Sequence, residues 1–275
     1  MAADTRPRLI VTADDFGLHP AVNQAVEQGF SQGVLRAASL MVAAPAAADA
    51  VARARRLPGL AVGLHLVLAE GRAVLAPAQI PDLVDASGQF GSNMVGAGVR
   101  FFFLPRVRRQ LAAEIRAQFQ AFAATGLRLD HVNAHKHFHL HPTVLTLILR
   151  IGRDFGLRAV RVPAEPGMGP WLRPWLALMR WRLGRAGVAC NDHVFGLRHS
   201  GAMDEGVLLD ALARLPGGLS ELYLHPAVHG GLTPAMGSYR HADELAALLS
   251  PRVRQAVDHH CRLCNGFGDP AALQP

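Results

Sequence analysis

Apolar runs alternate with helical stretches along most of the chain. Arg8–Ala13 (RLIVTA) reads as a buried strand, and Pro20–Gln32 as a helix with proline at an early position. Leu35–Val42 and Leu60–Leu68 (LAVGLHLVL) are strand-like, and the helical stretch Ala46–Arg56 between them ends near Pro58. Arg106–Ala124 has the pattern of a long amphipathic helix. Leu129–Asn133 follows as a strand, Pro142–Phe155 as a helix and Leu157–Val162 as a strand. Beyond them come a strand pattern at Val188–Phe195, a helix at Asp204–Leu215 and a strand at Leu219–Leu224. A helical stretch over Asp243–Val257 precedes Cys261–Phe267, read as the last strand. Strand and helix in this rhythm predict parallel β/α units. Seven or eight units in one chain suit an irregular (β/α) barrel, with an open sheet as the alternative that periodicity leaves standing. Two segments break the rhythm, at about 69–104 and 166–187, and long insertions in such folds shape the binding face.

With 275 residues, 50% hydrophobic and 18% charged, the chain can bury a substantial core. No Pro/Gly/Ser-rich linker divides it, so one domain over 1–275 is expected. The formal net charge of +7 raises the question of an anionic partner. Lys136 is the only lysine, and the arginines are scattered apart from Arg106, Arg108, Arg109 and the stretch Arg173–Arg185. No RNA- or DNA-binding motif accompanies them, so a nucleic-acid partner is not expected. Cys190, Cys261 and Cys264 do not make a disulfide framework. A CxxC at Cys261/Cys264 beside His259 and His260 lacks a second ligand pair and is read as part of the last strand. The opening MAADTRPRLIVTADD runs straight into a strand without the pattern of a leader, and no run of ~18 apolar residues occurs. A cytoplasmic location is expected, with membrane association left open.

The chemistry lies in where polar residues fall. Asp14 and Asp15 close the first strand, His65 lies near the end of the third, and Arg161 and His225 close two later ones. His131, Asn133, His135, His137, His139 and His141 follow one another in LRLDHVNAHKHFHLHP. These are carboxyl ends of expected parallel strands, the face on which β/α barrels and sheets carry their sites. Each feature has a plainer reading: Asp14–Asp15 before Phe-Gly as a helix cap and turn, His65 as a satisfied core histidine. Extended backbone would turn His135, His137 and His139 to one side, whereas a helical start would pair His135 with His139. A carboxylate with imidazoles and open positions makes a catalytic divalent-metal site, zinc or magnesium by donor type. A second carboxylate can take a proton from water and a histidine opposite can protonate a leaving group. The residues alone do not order Asp14 and Asp15 between ligand and base.

TADDFG, GLHL, HVNAHKHFHLHP and LYLHP, in this order and spacing, resemble the YdjC-like carbohydrate deacetylases. The resemblance implies an irregular barrel of the glycoside hydrolase/deacetylase type and removal of an N-acetyl group from an N-acetylglucosamine-type sugar. It implies Asp15, His65 and His135 as metal ligands, Asp14 as base and His225 as acid; Arg161, His137 and His139, at the same strand ends, are expected toward substrate. AASLMVA, RRLPGLAVGLHLVLAEGRAVL, IPDLVD, NDHVFGL with SGAM, and GFGD resemble a subgroup associated with hopanoid biosynthesis, which implies a glycosylated hopanoid substrate. A chitooligosaccharide deacetylase is the alternative, and a metal-containing sugar- or lipid-binding protein is a reading of another class. The insertion PWLRPWLALMRWRLGRAG mixes Trp171, Trp175 and Trp181 with arginines. It reads as a helix packed on the barrel, or as an interfacial helix that brings 170–186 to an anionic membrane.

Overall fold

The computed structural model describes residues 6–233 and 236–272. The expectations for residues 1–5, and for one domain running to 275, extend outside the described residues.

The first strand, β1 (Arg8–Phe16), is buried along nearly its whole length and forms the centre of the sheet. Beside it lie β2 (Ala37–Leu40), β3 (Ala61–Leu66) and β4 (Val132–Ala134) on one side, and β6 (Leu219–Leu224) then β5 (His193–Phe195) on the other. Every pairing in these ladders is parallel. A short β7 (Arg262–Leu263) pairs with the start of β1 on the edge that β2 occupies further along. The curved sheet is a half-barrel. Single parallel bridges, Val132 to Val160 and Ala159 to Ala189, carry pairing from β4 toward the segment that becomes β5. The expected strand Leu157–Val162 therefore exists as these bridges rather than as a ladder. Asn191 explains part of the irregularity: its side chain, not a strand backbone, accepts from Val162 N–H at 2.8 Å and donates to Val162 C=O at 2.8 Å.

The helices are α1 (Pro20–Gln32), α2 (Ala47–Arg55), α3 (Met94–Phe103), α4 (Pro105–Ala124), α5 (Pro142–Gly152), α6 (Arg173–Arg185), α7 (Glu205–Ala213), α8 (His241–Leu249) and α9 (Pro251–His260). Helix α1 is capped by His19, whose Nδ1 accepts from Ala21 N–H, so Asp14 and Asp15 are free of the capping role. The helix expected over 243–257 is two helices, because Ser250 caps a new start at Pro251. The first insertion is not all loop: it ends in α3, whose start is capped by Asn93 accepting from Gly96 N–H. Among the described residues no helix is long and apolar enough to cross a membrane.

Candidate active site

A strand alternates its side chains, so two adjacent aspartates cannot both face one side of a regular β1. The register of β1 against β2 shifts between Ala13 and Phe16, and Asp15 adopts the left-handed φ of 61°. That conformation is unfavourable for a residue with a Cβ and costs on the order of 1–3 kcal/mol. It delivers both carboxylates to the same end of the barrel, where Asp14 and Asp15 are 2% and 1% exposed.

Asp15, His65 and His135 each bring one ligand atom within 4.8 Å of the others. Asp15 Oδ1 lies 3.0 Å from His135 Nδ1 and 3.2 Å from His65 Nε2. The His65 contact lacks hydrogen-bonding angles, and both His65 Nε2 and Asp15 Oδ2 are buried without a hydrogen-bond partner. Buried polar atoms are normally satisfied. Three converging nitrogen and oxygen donors, two of them orphaned, fit a divalent cation. Burial raises the Asp15 carboxyl pKa, but His135 and His65 outweigh it and hold the group well below the usual carboxylate range.

Asn133 sets the tautomer of His65. Its Nδ2 donates to Asp14 Oδ1 at 3.1 Å and to Ser39 Oγ at 2.9 Å, which leaves Oδ1 to accept from His65 Nδ1 at 2.7 Å. The lone pair of His65 is then at Nε2, toward Asp15. Ser39 in turn contacts His131 Nε2 at 3.0 Å, and His131 Nδ1 meets Asp130 at 2.9 Å. A polar chain thus runs from Asp130 to the candidate ligands. Gly63 makes room for it, since a Cβ there would meet the His131 ring at 2.5 Å.

Asp14 is held differently. The fully buried Arg161 donates to it through Nη1 at 2.6 Å and Nη2 at 3.0 Å. The same guanidinium grips Glu221 through Nε at 2.9 Å and Nη2 at 2.8 Å, and its carbon lies 4.6 Å from the centre of the Tyr223 ring. Burial raises the Asp14 pKa, but the Arg161 charge prevails and keeps the carboxyl far below its ordinary value. Asp14 is an oriented carboxylate that stays ionised.

The histidine run resolves into three environments because Lys136 and His137 both take left-handed backbone, at φ of 54°. Neither a strand nor a regular helix describes it. His135 turns to Asp15, His137 Nε2 meets Tyr223 Oη at 2.9 Å, and His139 Nε2 donates to the Arg161 carbonyl at 3.0 Å. Across the cavity His225 stands edge-on to Tyr223 and 5.1 Å from the Tyr239 ring, with Nδ1 unpartnered. Burial pushes its imidazole down to about 4. Glu244, buried and pushed up to about 7 by that burial, accepts the backbone N–H of His225 at 2.5 Å and of Met203 at 3.0 Å.

Asp14, His65, His135, His137, Tyr223 and His225 line one cavity of about 260 Å³. Arg161 and His139 lie behind its wall, both fully buried, rather than on it. Ser39, Glu221, Tyr223 and Glu244 were not singled out by sequence, and Asn133 was singled out only as one of the polar residues at a strand end. Glu221 had a legible signal, an acid inside the apolar strand LSELYL; Ser39, Tyr223 and Glu244 had none.

Residues 8–259 match the sequence model for YdjC-like proteins. The chain belongs to the YdjC-like family. A carbohydrate deacetylase of Mus musculus is 33% identical over 287 residues, with 90% of each chain covered. One from Brevibacillus brevis is 35% identical over 165 residues, which is 60% of each chain, so the alignment spans less than two thirds of that relative. A candidate cellobiose-phosphate cleavage protein from Enterococcus faecalis V583 superimposes with a TM-score of 0.78 at 25% identity, covering 94% of this chain and 97% of the other. The matched range 8–259 includes every residue described above at the polar end of the barrel.

Proposed function

We propose that this YdjC-like protein is a metal-dependent deacetylase that hydrolyses the N-acetyl group of an N-acetylglucosamine-type sugar. The observation that carries the reading is the division of two adjacent aspartates: Asp15 meets His65 and His135, while Asp14 is gripped by Arg161. Carbohydrate deacetylases among its relatives supply the substrate class.

Asp15, His65 and His135 would hold the cation, zinc or magnesium. A divalent cation bound there supplies Lewis acidity, polarising a carbonyl and lowering the pKa of water. Asp14 accepts the proton of the attacking water; Arg161 and Asn133 fix its carboxylate on the cavity side. His225 delivers a proton to the departing amine: burial disfavours its cation, the Asp15 and Asp14 charges oppose that, and the proton Asp14 takes from water replaces the one His225 gives up. The C–N bond breaks, acetate leaves, and the amine is released. His137 lies on the wall and contacts the sugar through its free Nδ1, while Arg161 and His139 serve substrate from behind, through Asp14 and the Arg161 backbone. A cavity of about 260 Å³ lies below the range of roughly 300–1,000 Å³ for drug-sized ligands, which suits a single sugar ring.

The subgroup resemblance makes the carrier of that sugar a glycosylated hopanoid, with a chitooligosaccharide as the alternative. The whole chain is read as one deacetylase domain, cytoplasmic, with 170–186 touching the membrane. Support for that contact is Trp171 and Trp181, 76% and 57% exposed among arginines, whereas Trp175 donates to the Leu140 carbonyl and packs inward. Acetate release from N-acetylglucosamine-bearing substrates, soluble and lipid-linked, tests the reading across a series of divalent metals. Release abolished in Asp14→Asn with metal content unchanged is the expected result. No acetate from any such substrate with any metal overturns it.

A further inference from the structure

Every strongly exposed large hydrophobic residue among the described residues lies in one of the two insertions: Val74, Val95, Val99, Phe102, Phe103 and Leu104 in the first, and Trp171, Leu178 and Trp181 in the second. The first set is the denser, and it sits mainly on α3. Apart from Arg100, that helix is apolar all round. Its inner face, Met94, Gly98 and Phe101, is spaced i, i+4, i+7; Phe101 packs against Phe138 in a tilted arrangement with ring centres 5.3 Å apart, and Met94 lines the candidate site cavity. Its outer face, Val95, Val99 and Phe102 with Phe103, has the same spacing and meets solvent, Val95 at 80% and Phe103 at 68%. A helix apolar on all sides is ordinarily buried on all sides, and a contiguous exposed apolar patch of this kind marks an interaction surface.

The surrounding charge selects the partner. From Ala86 to Ala113 the sequence contains four arginines and no acidic residue. Arg106 is paired with Asp82, but among the described residues Arg100, Arg108 and Arg109 have no ion pair. Arg108 donates instead to the Phe102 carbonyl, which places its guanidinium beside the exposed phenylalanines.

We propose that α3 is a membrane-docking helix, seating its Val95–Val99–Phe102–Phe103 face in the headgroup region of an anionic bilayer with Arg100, Arg108 and Arg109 on lipid phosphates. Aromatic and aliphatic side chains bordered by arginine suit that interface, where apolar burial and attraction to anionic lipid add. Uncharged zwitterionic membranes lack the second contribution, and a second copy of this chain would set the same arginines against each other. Met94, on the inner face of the same helix, lines the cavity, so docking through α3 would set the site close to the membrane surface. The docking does not rest on the reaction proposed above and is read without turnover.

The test is co-sedimentation of the intact protein with vesicles of phosphatidylcholine, with and without roughly one-third phosphatidylglycerol. The protein is expected to partition onto the anionic vesicles and to be released by salt. Phe102→Ser/Phe103→Ser should lower the partition coefficient about tenfold or more, and Arg108→Gln/Arg109→Gln should weaken it and flatten its salt dependence. These residues are exposed, and unchanged thermal melting of each variant verifies its fold. Equal partitioning of wild type and the phenylalanine variant overturns the proposal, as does loss of binding only in Trp171→Ala/Trp181→Ala. A concentration-dependent dimer in light scattering, abolished by the phenylalanine substitutions, overturns it in favour of a contact between copies.

Discussion

Replacing Arg161 by methionine keeps most of the side-chain volume and removes one charge that serves two acids. Asp14 and Glu221 are 2% and 0% exposed and receive four hydrogen bonds from the guanidinium, at 2.6–3.0 Å. Without it both carboxylates are left buried, and Glu221 keeps only the Thr12 hydroxyl at 2.8 Å. Breaking a buried pair by removing one partner costs about 3–5 kcal/mol. For a chain of this size each kcal/mol moves the melting temperature by about 2–4 °C, so a drop of roughly 6–20 °C is expected. Differential scanning calorimetry near pH 7.5 reads it, with Arg252→Met as the comparison. Arg252 pairs with Glu205 at the surface, 71% and 39% exposed, and its loss should cost no more than about 1 kcal/mol. The pH dependence has a definite sign. In the native protein Asp14 has a depressed pKa, so its pairing stabilises above the ordinary carboxylate pKa and is lost only as pH falls through the lower, folded value. In the variant Asp14 loses the charge that opposes the effect of burial, so acidification should protonate it in the native state at higher pH than in wild type and narrow the gap. Further replacement of Glu221 by methionine should recover part of the loss. Melting of Arg161→Met within about 2 °C of wild type would refute the claim that this guanidinium neutralises the site.

Asn133→Leu removes the acceptor that fixes the His65 tautomer, and metal affinity measured by competition with a chelating dye should fall roughly 10- to 100-fold; unchanged affinity would mean that His65 orients itself. Gly63→Ala drives a Cβ to 2.5 Å from the His131 ring, and a loss of stability of about 1–3 kcal/mol should appear in urea unfolding. In metal-free protein His225 and His139 are held at about 4 and about 3 by burial, and His137 is lowered as well. Their depressed folded values mean that these imidazoles bind more protons in the unfolded chain below pH ~6.5, and because the three outnumber the raised Glu244 and His65, which act with the opposite sign, the urea midpoint should fall between about pH 6.5 and 4. A flat midpoint over that window would show these imidazoles to be protonated in the folded state.

Strand and helix alternation follows from apolar periodicity, which is a local property. RLIVTA, LAVGLHLVL and LSELYL therefore announced β1, β3 and β6, and Pro20–Gln32 coincides with α1. Polar residues at strand ends were legible for the same reason: parallel topology gathers those ends on one face whatever the loops do. The local sequence carried less where backbone departs from regular geometry. The left-handed turns at Asp15, Lys136 and His137 have no glycine to advertise them, so the directions of Asp14 against Asp15, and of His135, His137 and His139, are decided by what packs around them. Arg161 illustrates the other limit. From sequence it was a cation at a strand end and hence expected toward substrate. Only the fold, by setting Glu221 and Asp14 on either side of it, makes it the fully buried counter-charge of two carboxylates. The chain by itself determined its parallel β/α order and the end of the barrel at which polar residues gather. Tertiary structure decided which aspartate meets the histidines and which meets the arginine, because that depends on residues far apart in sequence and on a strained backbone that only their packing sustains.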